Sequence, residues 1–321
     1  ALPILMECPQ NVHFIIMECP RSGQSAYIFD FWRGTQNMII KPDNEMLSYS
    51  GRIDFDDRLA PVLVYACSSI GMKFTGTSLK AVIANHRSCW TNELGYFIDG
   101  EQKRFTLSSD EEKKTYTLAE GLSEGTHELL LFKRMDSCHT FTFYGFEIDD
   151  GAEVLPLPEK PKRKMEFFGD SVSCGEVSEA VEYVGKPDPE HDGEYSNSWY
   201  SYAWMTARKL NAQIHDTSQG GISLLDDTGW FAAPHYKGVE SCYDKIEYHP
   251  DLGPTKQWDF SKYVPHVVVV AIGQNDNHPV DYMAEDYDSE KSKNWRKHYQ
   301  AFIEKLMQLY PKAQDRKSTR L

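Results

Sequence analysis

From residue 46 to residue 148, apolar and polar positions alternate over short runs. Ser78–Ala84, Leu94–Asp99, Lys114–Leu118, Glu128–Lys133 and His139–Phe146 carry this pattern, and Pro61–Cys67 is a brief continuous apolar run. Turn residues such as Asp99-Gly100 and Glu120-Gly121 separate them. Alternation places every second side chain on one face, which is the signature of half-buried strands. Six or more such strands with no helical period predict an all-β sandwich of jelly-roll type over 41–150. Residues 151–164 carry Pro156, Pro158, Pro161 and many charges, and read as a linker or strap.

The period then changes. Met165–Phe168 is an apolar strand, Trp199–Leu210 spaces Tyr200, Ala203, Trp204 and Ala207 as a helix, and Ala212–Asp216 reads as a strand. Pro265–Gly273 is strongly β-branched, and Asn294–Tyr310 places Trp295, Phe302, Ile303, Leu306 and Leu309 on one helical stripe. Alternating strands and helices predict a parallel α/β domain over 165–314, with Val267–Ile272 central and covered on both faces. Residues 1–40 show no steady period; Met6-Glu7-Cys8-Pro9 recurs at 17–20, and the segment reads as a poorly structured or non-native leader.

Composition narrows the function classes. The chain has 321 residues and a formal net charge of −14, which disfavours nucleic acid and an anionic membrane surface as partners. Its seven cysteines are irregularly spaced, with no Cys-x-x-Cys or Cys/His zinc pattern, so buried free thiols and no metal are expected. No apolar run reaches the ~18 residues of a membrane span. No signal peptide is visible at the start, which leans towards the cytoplasm with secretion as the alternative.

The candidate chemistry sits where three strands end. These ends supply Gly169-Asp170-Ser171, Asp216 to Gly220-Gly221, and Gly273-Gln274-Asn275-Asp276. Loops at the carboxyl ends of parallel strands share one edge of the sheet, so a serine hydroxyl, a glycine amide and an asparagine amide are expected to meet there. A nucleophile facing hydrogen-bond donors is what acyl transfer requires. Glycine at the second position lets a backbone N–H approach a substrate without a side chain intervening. Asp170 and Asp276 are expected to orient loops by accepting backbone hydrogen bonds, and Cys174 to be a small buried residue.

These three blocks, in order and each after a strand, resemble those of the SGNH (GDSL-type) hydrolases. A β-sandwich placed before them is similar to carbohydrate esterase family 2, over roughly Met46 to Tyr310. The resemblance implies Ser171 as nucleophile and an oxyanion hole of Ser171 N–H, Gly221 N–H and the Asn275 side chain, with Gly220 as the alternative donor. Gly169, Asp170, Gly220 and Asp276 would support the loops. It implies a serine esterase that removes O-acetyl groups from acetylated xylan, mannan or oligosaccharides through an acetyl-enzyme, with an acetylated carbohydrate as partner and no cofactor. Another SGNH lipase or thioesterase, or a carbohydrate-binding protein with an inactive hydrolase domain, are the alternatives. Trp230 and Trp258 are candidate sugar platforms, each equally readable as core.

The family's general base is a histidine in a further block near the C-terminus, and no position here matches it. Only His278 and His298 follow Asp276; the first is a loop residue and the second a helix-surface residue. Asp188-Pro-Glu-His191 spells the family's Asp-x-x-His but precedes the second block, which points to coincidence. His215, His235, His249 and His266 lie at strand ends or in the long middle loop. Residues 315–321 read as a translated library adapter, so the expectation is a hydrolase domain incomplete at its C-terminus, a non-native tail, and a fragment lacking its catalytic histidine.

Overall fold

The structure, a computed structural model, describes residues 37–317. The expectations for residues 1–36 and 318–321 lie outside the described residues. Two six-stranded antiparallel sheets form the first part. One runs Ile53–Asp54, Val62–Leu63, His139–Ile148, Leu79–Arg87, Lys114–Ala119, with Met38–Ile40 also on His139–Ile148. The other runs Val154–Leu155, Ser69–Thr75, Thr126–Lys133, Glu93–Ile98, Glu101–Thr106, with Ser48–Ser50 also on Ser69–Thr75. Ile70, Met72, Phe74 and Leu131 of one sheet share a core with Ala81, Ile83, Phe141 and Phe143 of the other. Each large apolar side chain removed from water there contributes about 1.5–3 kcal/mol.

Two expectations change, and a third is decided between its alternatives. Met38–Ile40, placed in the leader by its lack of period, is a strand with Ile40 buried; three residues are too few to display a period. Pro61–Cys67 pairs only over Val62–Leu63. Cys67 then takes a left-handed backbone (φ 62°), and Val64, Tyr65, Ala66 and Cys67 turn their side chains into the cores of the α/β layer. Residues 151–164 are a strap: Val154–Leu155 pairs with Ser69–Thr75, and the Lys160 ammonium donates to Tyr49 O.

The second part holds a four-stranded parallel sheet in the order Ala212–Ser218, Arg163–Gly169, Val267–Ala271, Gln314–Lys317. Helix Glu290–Leu309 covers one face, with Phe302, Ile303 and Leu306 against Phe168, Val268 and Val270. Helix Tyr202–Lys209 covers the other, with Ala203, Trp204 and Ala207 against Met165, Phe167 and Ile214. Serines start both helices: Ser201 Oγ accepts from Trp204 N–H at 3.1 Å and Ser289 Oγ from Ser292 N–H at 3.2 Å. Such caps contribute about 1 kcal/mol each. Val267–Ala271 is central as its β-branched run implies, but Val267 and Val269 stay half-buried. Among the described residues no helix is long and apolar enough to cross a membrane.

Candidate active site

Strand Arg163–Gly169 delivers Ser171 through a tight corner. A Cβ on Gly169 would lie 2.0 Å from Ser173 Oγ, so only glycine fits between the strand and the single helical turn Ser171–Cys174. Asp170 caps that turn, its Oδ1 accepting from Val172 N–H at 3.1 Å. Burial, with the Asp276 charge adding to it, pushes the Asp170 carboxyl up to about 6. Ser171 is half-buried and lines a cleft of about 600 Å³ at the carboxyl edge of the sheet.

The second block turns beneath the same cleft. Gly221 adopts a left-handed backbone (φ 71°), and its carbonyl accepts from Trp230 N–H at 2.7 Å and Phe231 N–H at 3.2 Å. Gly221 N–H has no acceptor among the described residues, whereas Gly220 N–H donates to Asp136 Oδ2 at 2.7 Å. Gly220 is therefore committed to holding the loop. From the third block, Asn275 Nδ2 donates to Ile222 O at 3.0 Å. An amide carries two hydrogens, and the second remains for the cleft that Asn275 lines. Asp276 is buried and ties the second and third blocks together, accepting from Leu224 N–H at 3.0 Å and from Trp295 Nε1–H at 2.6 Å. Burial raises its carboxyl above the ordinary range. Ser171, Gly221 and Asn275 thus come from three separate strand ends and line one cleft.

The sandwich supplies another wall, which the sequence did not announce. Ser88, Cys89 and Trp90 follow one strand, and Asp136 and Cys138 sit in the turn between two others; all five line the cleft. The buried Lys133 ammonium clasps that turn, donating to Asp136 O at 2.7 Å and to His139 O. Asp136 Oδ2 receives Gly220 N–H and Gln219 Nε2–H, the latter at 2.8 Å.

Two histidines line the cleft. His191 lines the cleft, with Nδ1 2.5 Å from Glu176 Oε1 and Nε2 3.6 Å from Asp188 Oδ2. His249 lines it too, its Nε2 3.1 Å from Ser88 Oγ. Neither imidazole is hydrogen-bonded to Ser171 Oγ, which has no histidine partner among the described residues. His298 is a helix-surface residue paired with Glu240, and His278 stacks on Trp230 while its Nδ1 meets Gly229 O at 2.7 Å. His215 lies buried against Tyr263, where burial holds it well below its ordinary range. The two candidate platforms also separate. Trp230 is 59% exposed on the cleft, whereas Trp258 is buried with Ile246 and Tyr263 and lines no part of it. Cys174 is buried beneath the serine turn.

Architecture and site define a class: an antiparallel β-sandwich joined to a parallel α/β layer, with a serine at the layer's carboxyl edge. Residues 49–158 match the family described as Carbohydrate esterase 2 N-terminal. The cellulase/esterase CelE of Acetivibrio thermocellus is 33% identical over 235 residues, 73% of this chain and 27% of that protein. An acetylxylan esterase / glucomannan deacetylase of Cellvibrio japonicus is 25% identical over 260 residues, 79% of this chain and 69% of that one. A solved family two carbohydrate esterase from Clostridium thermocellum, in complex with cellohexaose, superposes with a TM-score of 0.71 at 29% identity, covering 84% of this chain and 76% of that one. The chain is a relative of the family 2 carbohydrate esterases, and its residues 49–158 carry their N-terminal domain. It spans only about a quarter of CelE.

Proposed function

We propose that the α/β layer is an SGNH-type hydrolase domain and that the protein is a serine esterase removing O-acetyl groups from carbohydrates. The observation that carries this reading is the meeting of Ser171, Gly221 and Asn275 on one cleft. Ser171 Oγ attacks the acetyl carbonyl carbon. The carbonyl oxygen takes up negative charge and rests on Ser171 N–H, Gly221 N–H and Asn275 Nδ2–H, donors already in place before the reaction. Collapse of the tetrahedral intermediate expels the sugar hydroxyl, and water then releases acetate from the acetyl-enzyme. On this reading Ser171 is the nucleophile and these three N–H groups are its oxyanion donors; among the described residues no imidazole is hydrogen-bonded to Ser171 Oγ to take its proton.

The names of the Cellvibrio and Acetivibrio relatives support a carbohydrate ester as substrate. Asp136, Glu176, His191 and Asp251 beside the rings of Trp90, Trp230 and Phe231 give the cleft the mix of polar groups and aromatic faces that suits a sugar ester. Acetate release from acetylated xylan, compared with a Ser171→Ala variant, tests the reading. Release that Ser171→Ala abolishes supports it, and release that survives the substitution overturns it.

One observation favours a second reading. Ser171 Oγ has no imidazole partner among the described residues, and the solved Clostridium relative is in complex with cellohexaose. A cleft that only binds oligosaccharide would show calorimetric binding of cellohexaose without acetate release, unchanged in Ser171→Ala.

A further inference from the structure

Two cysteines share the sandwich wall of the cleft. Cys89 follows strand Leu79–Arg87, and Cys138 precedes its antiparallel partner His139–Ile148. Arg87 stands opposite His139 and Ser88 N–H donates to Cys138 O at 3.0 Å, so Ser88 faces Cys138 and Cys89 lies one residue beyond it on the neighbouring segment. Ser88 Oγ bridges the two segments, lying 3.7 Å from Cys89 Sγ and donating to Cys138 O at 3.3 Å. Both are free and both line the cleft, Cys89 half-buried and Cys138 buried. The remaining described cysteines, Cys67, Cys174 and Cys242, are buried away from it.

We propose that Cys89 and Cys138 are a dithiol site which a low-molecular-weight disulfide, such as glutathione disulfide, oxidises to a Cys89–Cys138 bond on the wall of the cleft. The Cys89 thiolate attacks one sulfur of glutathione disulfide, forms a mixed disulfide and expels one glutathione thiolate. Cys138 then loses its proton and attacks Cys89 Sγ, expelling the second. Two protein thiols are oxidised, one small disulfide is reduced to two thiols, and the two protons released by the protein protonate the two leaving thiolates. The order of attack follows from exposure, since Cys89 is half-buried on the cleft and Cys138 is buried beside it. The neighbouring Cys138 thiol, helped by Ser88, brings the Cys89 thiol down to about 7, near the value at which an attacking thiol is most effective. The Cys89 thiol and burial push Cys138 well up, which suits the second, resolving thiol.

The bond would form one contact from the second block. Cys138 Sγ meets Gln219 Nε2 at 3.9 Å, Cys138 N–H donates to Asp136 Oδ1 at 2.9 Å, and Asp136 Oδ2 holds Gly220 N–H. Any consequence for ester hydrolysis rests on the esterase reading; formation of the bond does not. The test therefore reads mass rather than activity. The folded, reduced chain is incubated with excess glutathione disulfide without denaturant, remaining thiols are alkylated, and the digest is mapped. A Cys89–Cys138 linkage in the wild type, with Cys138→Ser instead retaining glutathione on Cys89, supports the proposal. A wild type in which both cysteines are recovered alkylated, or keeps glutathione on Cys89 as Cys138→Ser does, or links either cysteine elsewhere, overturns it.

Discussion

Arg52 and Glu166 form a salt bridge with no solvent exposure, the guanidinium Nη2 2.9 Å from Glu166 Oε1. Arg52 belongs to the sandwich, and Glu166 lies on the strand that ends at Ser171. Arg52 Nη1 also donates to Tyr243 O at 2.6 Å and Lys245 O at 3.1 Å, and Tyr65, Phe168, Trp258 and Phe260 surround the guanidinium. A cation so enclosed fixes the serine strand against the sandwich.

Removing one partner strands a charge in the interior, whereas removing both does not. Arg52→Met is expected to lower unfolding stability by about 3–5 kcal/mol. The pair Arg52→Met with Glu166→Leu is expected to recover most of that loss. Urea denaturation of the two variants beside the wild type checks it.

The proposed oxyanion donors give a kinetic prediction. Asn275→Ala should reduce turnover about 100- to 1000-fold with little change in KM, because the amide acts on charge that exists only in the transition state. Gly221→Ala should do at least as much harm and also destabilise. Its φ of 71° disfavours a Cβ, and that Cβ would lie 2.9 Å from Trp230 Cβ. Steady-state acetate release and thermal melting separate the two effects.

Asp276 is the tie between the second and third blocks. Asp276→Ala leaves Leu224 N–H buried without an acceptor, a cost of about 1–3 kcal/mol, and releases Trp295 Nε1–H. A blue- or red-shifted Trp emission together with a lower melting temperature is the expected outcome. Unchanged melting would show that the loop holds itself.

Asp216 should contribute a component of stability that falls as pH rises through the acidic range, opposed by the buried His139 and His215, whose lowered values act the other way. Asp216 is buried between Ser218 Oγ and Cys67 Sγ, and burial raises its carboxyl to about 7. The unfolded chain releases this proton near pH 3.9. Between about pH 4 and pH 7 the folded state thus holds on Asp216 a proton that the unfolded state has lost, so this group's contribution is greatest at the acid end and decreases towards neutrality. Three pK units correspond to roughly 4 kcal/mol. The stability of Asp216→Asn relative to the wild type should therefore rise from acid pH to neutrality, while Asp170, raised to about 6, keeps titrating in both proteins. Denaturation midpoints at pH 4.5 and about pH 7.5 measure this.

Trp230 stacks on His278 with ring centroids 3.5 Å apart and keeps most of its surface open to the cleft. Trp230→Ala should weaken oligosaccharide binding about 3- to 10-fold, the range expected for one lost ring contact. Stability should barely move. Calorimetry with a cello-oligosaccharide would decide.

The serine, Gly220-Gly221 and Asn275-Asp276 were legible because each follows an apolar run and carries residues that local chain geometry demands. Parallel pairing then brings such ends to one edge without further information. What stayed hidden depends on distance along the chain. Asp136 meets Gly220 across 84 positions, and nothing local marks a turn aspartate as the acceptor for that amide. His191 was set aside because its motif falls in the wrong order, yet the loop after the serine turn carries it into the cleft beside Glu176. Trp258 could not be told from a platform by sequence, since aromatic side chains serve cores and sugar faces alike; its burial against His215 decides the matter.

Because turns of the sandwich make up part of the cleft wall, the two halves cannot be exchanged like beads on a string. A graft that replaced the first 150 residues with another sandwich would keep every residue of the serine turn and still deliver a different cavity. Variation in a segment that touches neither Ser171 nor Asn275 is then enough to re-tune which molecules are admitted.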